Sequence, residues 1–290
     1  MAQHQHATSG PVLFITDLSA RCDRAMDRAS QIAKSLNTKL IALHVTQTSL
    51  LEKIATPAWR KHADDHRTAA EYQLKSDLAH VDVPVEIIIE HGDPVERILS
   101  TAKHHHCSMI VSGTASDETL GRVVFGNTVE KLARQCELPL LIVRKRVFHA
   151  YKHAVVATDF SSGSRHALEA AVHLLPQASL TLFHAFEREA SSQWQQNTAE
   201  IQHADTNRAA QFLQDTPALK GHAQPKIVTL EGAPHIELGK YVDEHNIEIA
   251  VLGTHGLTGI LRTAIGSVAE KLLATLPCDV MIVRQAHSED

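Results

Sequence analysis

Short apolar runs rich in β-branched residues alternate along this 290-residue chain with longer stretches in which apolar positions return every third or fourth residue. The short runs read as strands buried on both faces, and the longer stretches as helices with one apolar side. That alternation predicts an α/β fold with a parallel, doubly wound sheet. Strands are expected at 11–16, 39–45, 84–90, 108–112 and 140–144, and again at 153–158, 179–185, 226–230, 248–252 and 279–284. Between the first two, Ala25, Ala29, Ile32, Ala33 and Leu36 form one apolar stripe, and Ala167, Ala171, Val172 and Leu175 repeat it in the second half. The polar segments 50–80 and 190–217 predict the longest and most exposed helices.

The two sets of strands belong to an internal repeat with a period of about 140 residues. VLFITDLS, with Asp17, returns as AVVATDFS, with Asp159, and KLIALHV returns as SLTLFHA. EHGDPVERI returns as LEGAPHIEL, MIVSGT as IAVLGT, FGNTVEKLA as IGSVAEKLL, and LLIVR as VMIVR. The same landmarks in the same order predict two tandem five-stranded domains, 1–148 and 149–290, joined through KRVFHAYK. The closing strands are apolar and hazardous as bare edges, so they are expected to pair with each other and make an intrachain pseudo-dimer, with homodimerisation of the whole chain open.

Composition narrows the class. Apolar residues at 43% and charged residues at 21%, with no apolar run of bilayer length, predict a globular protein outside the membrane. The N-terminus lacks a basic and then apolar leader pattern, so a cytoplasmic location is expected. A net charge of −5 with dispersed basic residues, and only 4% aromatics, argues against a nucleic-acid partner. Cys22, Cys107, Cys136 and Cys278 form no CxxC pair and read as reduced, packed thiols. The His104-His105-His106 run lacks a separated third or fourth ligand, so no native metal site is expected. Twenty-one histidines would alter net charge between pH 5 and 8, which makes a pH response a testable idea.

The candidate chemistry sits in GTHGLTGILRTAIGS, Gly253 to Ser267, between a strand and a helix. A glycine loop ending at a helix N-terminus gathers free backbone N–H groups and the positive end of the helix dipole, which suits phosphate. Gly253 and Gly256 are expected to let the backbone approach the ligand, Gly266 to leave the helix start uncovered, and Ser267 to add a hydroxyl. No GxxxxGK[ST] is present, and G-x-x-G-x-x-G after the fourth strand is not the dinucleotide fingerprint.

The spacing G-x2-G-x9-G-[S/T/N], read as Gly253, Gly256, Gly266 and Ser267, resembles that of the universal stress protein family. The TDLS and TDFS turns, the LHV and FHA strands, the GxP turns and the IVR ends extend the resemblance over essentially the whole chain. It implies Rossmann-like domains of the adenine nucleotide alpha hydrolase-like kind, paired through their last strands, and in some members bound ATP. Carried over by position, Asp159 would contact the adenine edge, Ala185 would offer its backbone to the base, and the glycine-serine loop with Gly253, Thr254, Gly256, Gly266 and Ser267 would hold ribose and phosphates, while Ala157, Thr158 and Val268 would also belong to the cofactor site. ATP, ADP or AMP would serve, with Mg accompanying ATP.

The first copy offers the weaker set Asp17, Val45, Gly113, Gly126, Asn127 and Thr128. Its loop has Ser116 for the second glycine and Asn127 for the serine, and Asp117 and Glu118 place like charge beside a phosphate. The expectation is therefore a stress-response binding module with its main adenine-nucleotide site in the second domain and no catalytic residues. Slow ATP hydrolysis stays open. Two alternatives also stay open: an ATP-consuming adenylating enzyme, against which stands the missing SGGxDS-like loop, and a partner-binding module with vestigial sites. Asp17 and Asp159 could equally be turn residues, and His44 and His184 read as packed histidines.

Overall fold

The computed structural model describes residues 10–46, 59–114, 118–119, 122–123, 127–187, 198–254 and 265–285. In the first half, β1 (Val12–Thr16), β2 (Leu40–Thr46), β3 (Val85–His91) and β4 (Met109–Gly113) precede a two-residue pair, β5 (Glu118–Thr119) and β6 (Arg122–Val123), and then β7 (Leu140–Val143). The second half contributes β8 (His153–Ala157), β9 (Ser179–Phe186), β10 (Lys226–Glu231), β11 (Ile249–Gly253) and β12 (Asp279–Val283). The helices are α1 (Asp23–Ser35), α2 (Trp59–Asp77), α3 (Pro94–His104), α4 (Asn127–Gln135), α5 (Ser162–Leu174), α6 (Thr198–Gln214), α7 (Pro234–Glu244) and α8 (Ser267–Thr275).

One ten-stranded sheet runs β10-β9-β8-β11-β12-β7-β4-β1-β2-β3. Each half is parallel throughout, with its first strand third from the outer edge, so the winding reverses between β1 and β4 and between β8 and β11. The halves join where β12 pairs β7 antiparallel, Met281 opposite Leu141. The expected pseudo-dimer through the closing strands is thus present within one chain. Because that pair is antiparallel, the C-terminal ends of the two sets of strands lie on opposite edges of the sheet.

Alternate residues of each strand feed two cores. Val12 and Phe14 pack with α1, α2, α5 and α6 on one face, whereas Leu13 and Ile15 pack with α3, α4, α7 and α8 on the other. Both cores continue across the seam, which is why central strands such as β1, β7 and β11 are apolar over nearly their whole length. The strands expected from sequence are all present. The β5-β6 hairpin is the addition: inside the first-domain glycine loop, Glu118 pairs with Val123 and Thr119 with Arg122.

Among the described residues, no helix is long and apolar enough to cross a membrane, and no cluster of His, Cys, Asp or Glu could hold a metal ion. All four cysteines are free. Burial pushes the thiols of Cys107 and Cys136 up to about 11 and that of Cys278 to about 12.

Candidate functional site

In the second half, the chain leaves β8 through Thr158, Asp159 and Phe160 and enters α5 at Ser162. Asp159 accepts a hydrogen bond from the Ser161 N–H at 3.1 Å, and Thr158 Oγ1 accepts one from the Phe160 N–H at 2.9 Å. Both bonds reach two residues forward and force a tight turn. Phe160 consequently sits at φ +64°, a left-handed conformation that costs a bulky side chain about 1–3 kcal/mol. The first half repeats the arrangement. Ser19 N–H donates to Asp17 at 2.9 Å, Leu18 N–H donates to Thr16 Oγ1 at 2.9 Å, and Leu18 lies at φ +65°. Strain kept at equivalent places in two divergent copies marks the ends of β1 and β8 as constrained positions.

The turn is fixed from behind. Thr158 is buried, its N–H donates to the Phe183 carbonyl at 2.9 Å, and its hydroxyl lies 2.8 Å from that of Ser164. Ser161 caps α5 by accepting from the Ser164 N–H at 3.3 Å. The His184 Nδ1–H donates to the Thr158 carbonyl at 2.8 Å, as His44 does to Thr16 at 2.9 Å. Both histidines therefore stitch the second strand to the end of the first. Ala185, the next residue of β9, is buried beside Leu230.

Next to this turn β11 ends at Gly253, where the structure adds a demand that the loop spacing does not reveal. A Cβ there would stand 2.9 Å from the Gly163 carbonyl oxygen and 3.2 Å from the Ser164 nitrogen. The missing Cβ at Gly253 therefore lets the start of α5 pack on the strand end, a demand separate from the approach of a ligand. Gly113 does the same in the first half, where a Cβ would lie 3.0 Å from the Arg21 carbonyl oxygen.

Thr254 is 2% exposed, donates its N–H to Val283, and accepts from the Gly266 N–H at 2.9 Å. The two ends of the glycine loop are thereby clasped together. Gly266 is the N-cap of α8 and supplies no side-chain cap, so the first-turn amides, beginning at Ser267 and Val268, keep no side-chain partner at the cap. Both residues are exposed, Val268 to 42%. Gly256 lies outside the described residues.

Ala157, Thr158, Asp159, Gly253, Thr254, Gly266, Ser267 and Val268 are thus gathered around the first turns of α5 and α8, with Ala185 one strand further out. Sequence reasoning missed Phe160, Gly163 and Ser164. Small residues in TDFSSGS opposite a strand-terminal glycine are the signal that could have found Gly163 and Ser164.

In the first half, Asp17, Gly113, Asn127 and Thr128 occupy matching places, with Val45 half-buried in β2 opposite Glu90. Gly126, Ser116 and Asp117 lie outside the described residues. Cys22 adds a difference, since its thiol donates to Asp17 at 3.3 Å. Burial opposes ionisation of Asp17, but hydrogen bonds from Ser19 and Cys22 together hold its carboxyl below the usual value. The Cys22 thiol is itself pushed up by burial.

A model of the universal stress protein family matches residues 9–144 and 150–284. The chain is similar to universal stress protein E of Photorhabdus laumondii, 23% identical over 319 residues, covering 98% of this chain and 96% of the relative. It is likewise similar to universal stress protein E of Escherichia coli K12, 24% identical over 308 residues and covering 98% and 95%. Among solved structures, a universal stress protein from Archaeoglobus fulgidus DSM 4304 superposes with a TM-score of 0.69 at 18% identity, covering 97% of this chain and 98% of that one.

Proposed function

Because the chain belongs to the universal stress protein family through both of its halves, we propose that it is a stress-response module that binds ATP or another adenine nucleotide, mainly in its second domain. The observation carrying this reading is the convergence at the β8/β11 switch point. A strained turn, a clasped glycine loop and the uncapped start of α8 meet where open α/β sheets hold their ligands.

In this reading the α8 amides at Ser267 and Val268 and the Ser267 hydroxyl receive phosphate oxygens, helped by the positive end of the helix dipole. Gly266 fits that role, since it supplies no side-chain cap to the amides, and a Cβ there would press to 3.2 Å on the Thr254 carbonyl oxygen that clasps the loop. Asp159, which already ties the turn through Ser161, and the backbone of Ala185 face the base, and Mg accompanies the phosphates when ATP is bound. The donor set is one for holding a nucleotide. In this reading the protein acts by binding, and slow hydrolysis of the bound nucleotide stays open.

In the first domain, Asn127 starts α4 with an amide side chain where Ser267 offers a hydroxyl, and the proposal gives this copy the weaker site. Calorimetric titration with ATP tests both statements. The wild-type chain is expected to bind one nucleotide, Gly256→Val to weaken binding at least about tenfold, and Ser116→Gly to strengthen a second, weaker event. Absence of binding to wild type, or unaltered binding in Gly256→Val, would remove the second-domain site.

A further inference from the structure

The IVR sequences that end the two halves do more than close the sheet. Arg144 directly follows β7, and its guanidinium donates to the carbonyls of Leu273 and Leu276, at the C-terminus of α8 in the other domain. Arg284 directly follows β12 and donates to the carbonyl of Arg134, at the C-terminus of α4 in the first domain. The last carbonyls of a helix have no partners of their own and carry the negative end of its dipole, so a guanidinium there both stabilises the helix and fixes its axis. The two helices capped in this crossed manner are the ones whose N-termini, at Ser267 and Asn127, follow the glycine loops.

The connections continue at both ends. Arg24, in the first turn of α1, donates to the Arg144 carbonyl at 2.7 Å, and α1 starts beside Gly113. Ser162, the first residue of α5, donates to the Gln285 side chain at 3.0 Å, next to Arg284. In addition, β6 of the first-domain loop runs alongside α8. Hydrogen bonds, with one covalent step from Gln285 to Arg284, therefore lead from the helix start in one domain, through a strand-terminal arginine, to the site helix of the other.

We propose that Arg144 is a positioning residue for the second-domain site: from the first domain it holds α8, and with it the amides at Ser267 and Val268, in the orientation that reads phosphate. Arg284 holds α4 in the same way. The ligand in this statement rests on the nucleotide reading above, whereas the hold on α8 rests on the contacts alone. Two sites tied to one element are energetically coupled when that element responds to both, so the first domain sets the affinity of the second.

Amide hydrogen exchange and ATP calorimetry on the full chain separate these parts. Arg144→Ala is expected to raise exchange in the first turns of α8 about tenfold and to weaken ATP binding about tenfold, with α4 unaffected. Arg144→Lys keeps the charge without the fork and recovers part of both losses. Arg284→Ala raises exchange in α4 and leaves ATP affinity within about twofold of wild type. Lys39→Ala, which removes the ion pair with Glu86 at the outer edge of the first domain, far from Arg144 and α8, changes neither readout.

Unchanged α8 exchange in folded Arg144→Ala overturns the proposal. So does raised exchange with unaltered ATP affinity, which would leave Arg144 a structural cap only. Should Arg144→Ala fail to fold, Arg144→Lys and Arg284→Ala decide by the same criteria. If wild type binds no ATP, the nucleotide reading falls, and α8 exchange alone decides whether the cross-domain hold exists.

Discussion

Gly253 illustrates how a residue found for one reason can answer a second demand as well. Its missing Cβ leaves room for the Gly163 carbonyl, which is backbone at the start of α5 and cannot swing aside. Gly253→Ala is therefore expected to push α5 off the strand end and destabilise the chain by about 1–3 kcal/mol, read as a lower urea midpoint. An unchanged midpoint would mean that the helix start yields freely. The loop spacing pointed to this glycine because close ligand approach and close helix packing make the same demand on a side chain. The distance to Gly163 shows the packing demand directly. Phe160 was illegible for a different reason: a phenylalanine gives no hint of a positive φ, which here follows from the bonds made by Thr158 and Asp159 on either side of it.

The repeat lets one element be judged against its own copy. Both α3 and α7 follow a glycine at strongly positive φ, Gly92 at +136° and Gly232 at +141°, which explains the glycine in each GxP turn. The helices then differ. Asp93 caps α3 by accepting from the Glu96 N–H at 3.0 Å, whereas Ala233 stands at the same place before α7 with no side-chain cap. Ala233 already has the extended backbone of an N-cap, φ −63° and ψ 123°. Ala233→Asp should therefore stabilise the protein by about 1 kcal/mol, visible as a higher urea midpoint at unchanged slope. A fall in midpoint would show that the α7 start cannot accept the bond.

At this scale the sequence was most readable. Every long strand announced itself through an apolar run, continuous in the buried central strands and interrupted by charged residues in the half-buried outer ones, β3 and β10. The β5-β6 hairpin did not, because a two-residue pair contains too few positions to show a period.

For the whole molecule, the pairing of β7 with β12 was legible from their apolar edges, but the polar fastening around the seam was not, since its members are scattered from Arg28 to Asp279. Asp279 is fully buried and accepts from the Arg144 and Lys145 N–H groups at 2.7 and 2.8 Å and from the Tyr151 hydroxyl at 2.6 Å. Arg28 completes the group, with its guanidinium 3.8 Å from the Tyr151 ring centre and Nε 3.7 Å from Asp279. The second domain thus holds the interdomain linker through a buried charge that the first domain helps to neutralise. Removing one partner leaves that charge short of a donor, so Tyr151→Phe is expected to cost about 1–3 kcal/mol at pH 7 while keeping the ring under Arg28.

The same contact predicts a pH dependence. Burial first, and then the negative charge of Asp279, push the Tyr151 hydroxyl well above its ordinary value, with Arg28 opposing. The folded state therefore keeps a proton that the unfolded chain releases above about pH 10. The stability supplied by Tyr151 is full below that point and is lost as pH rises toward the folded value, by up to about 1.4 kcal/mol per unit for one proton. The thiols of Cys107, Cys136 and Cys278 are raised in the same direction, so wild type alone cannot isolate the phenol. The gap between wild type and Tyr151→Phe can, because both chains carry the same thiols. Urea unfolding from pH 7 to pH 11 should show a constant gap up to about pH 10 and a shrinking one beyond it. A gap that holds steady to pH 11 would mean that Tyr151 releases its proton no more reluctantly in the folded protein than in the unfolded chain.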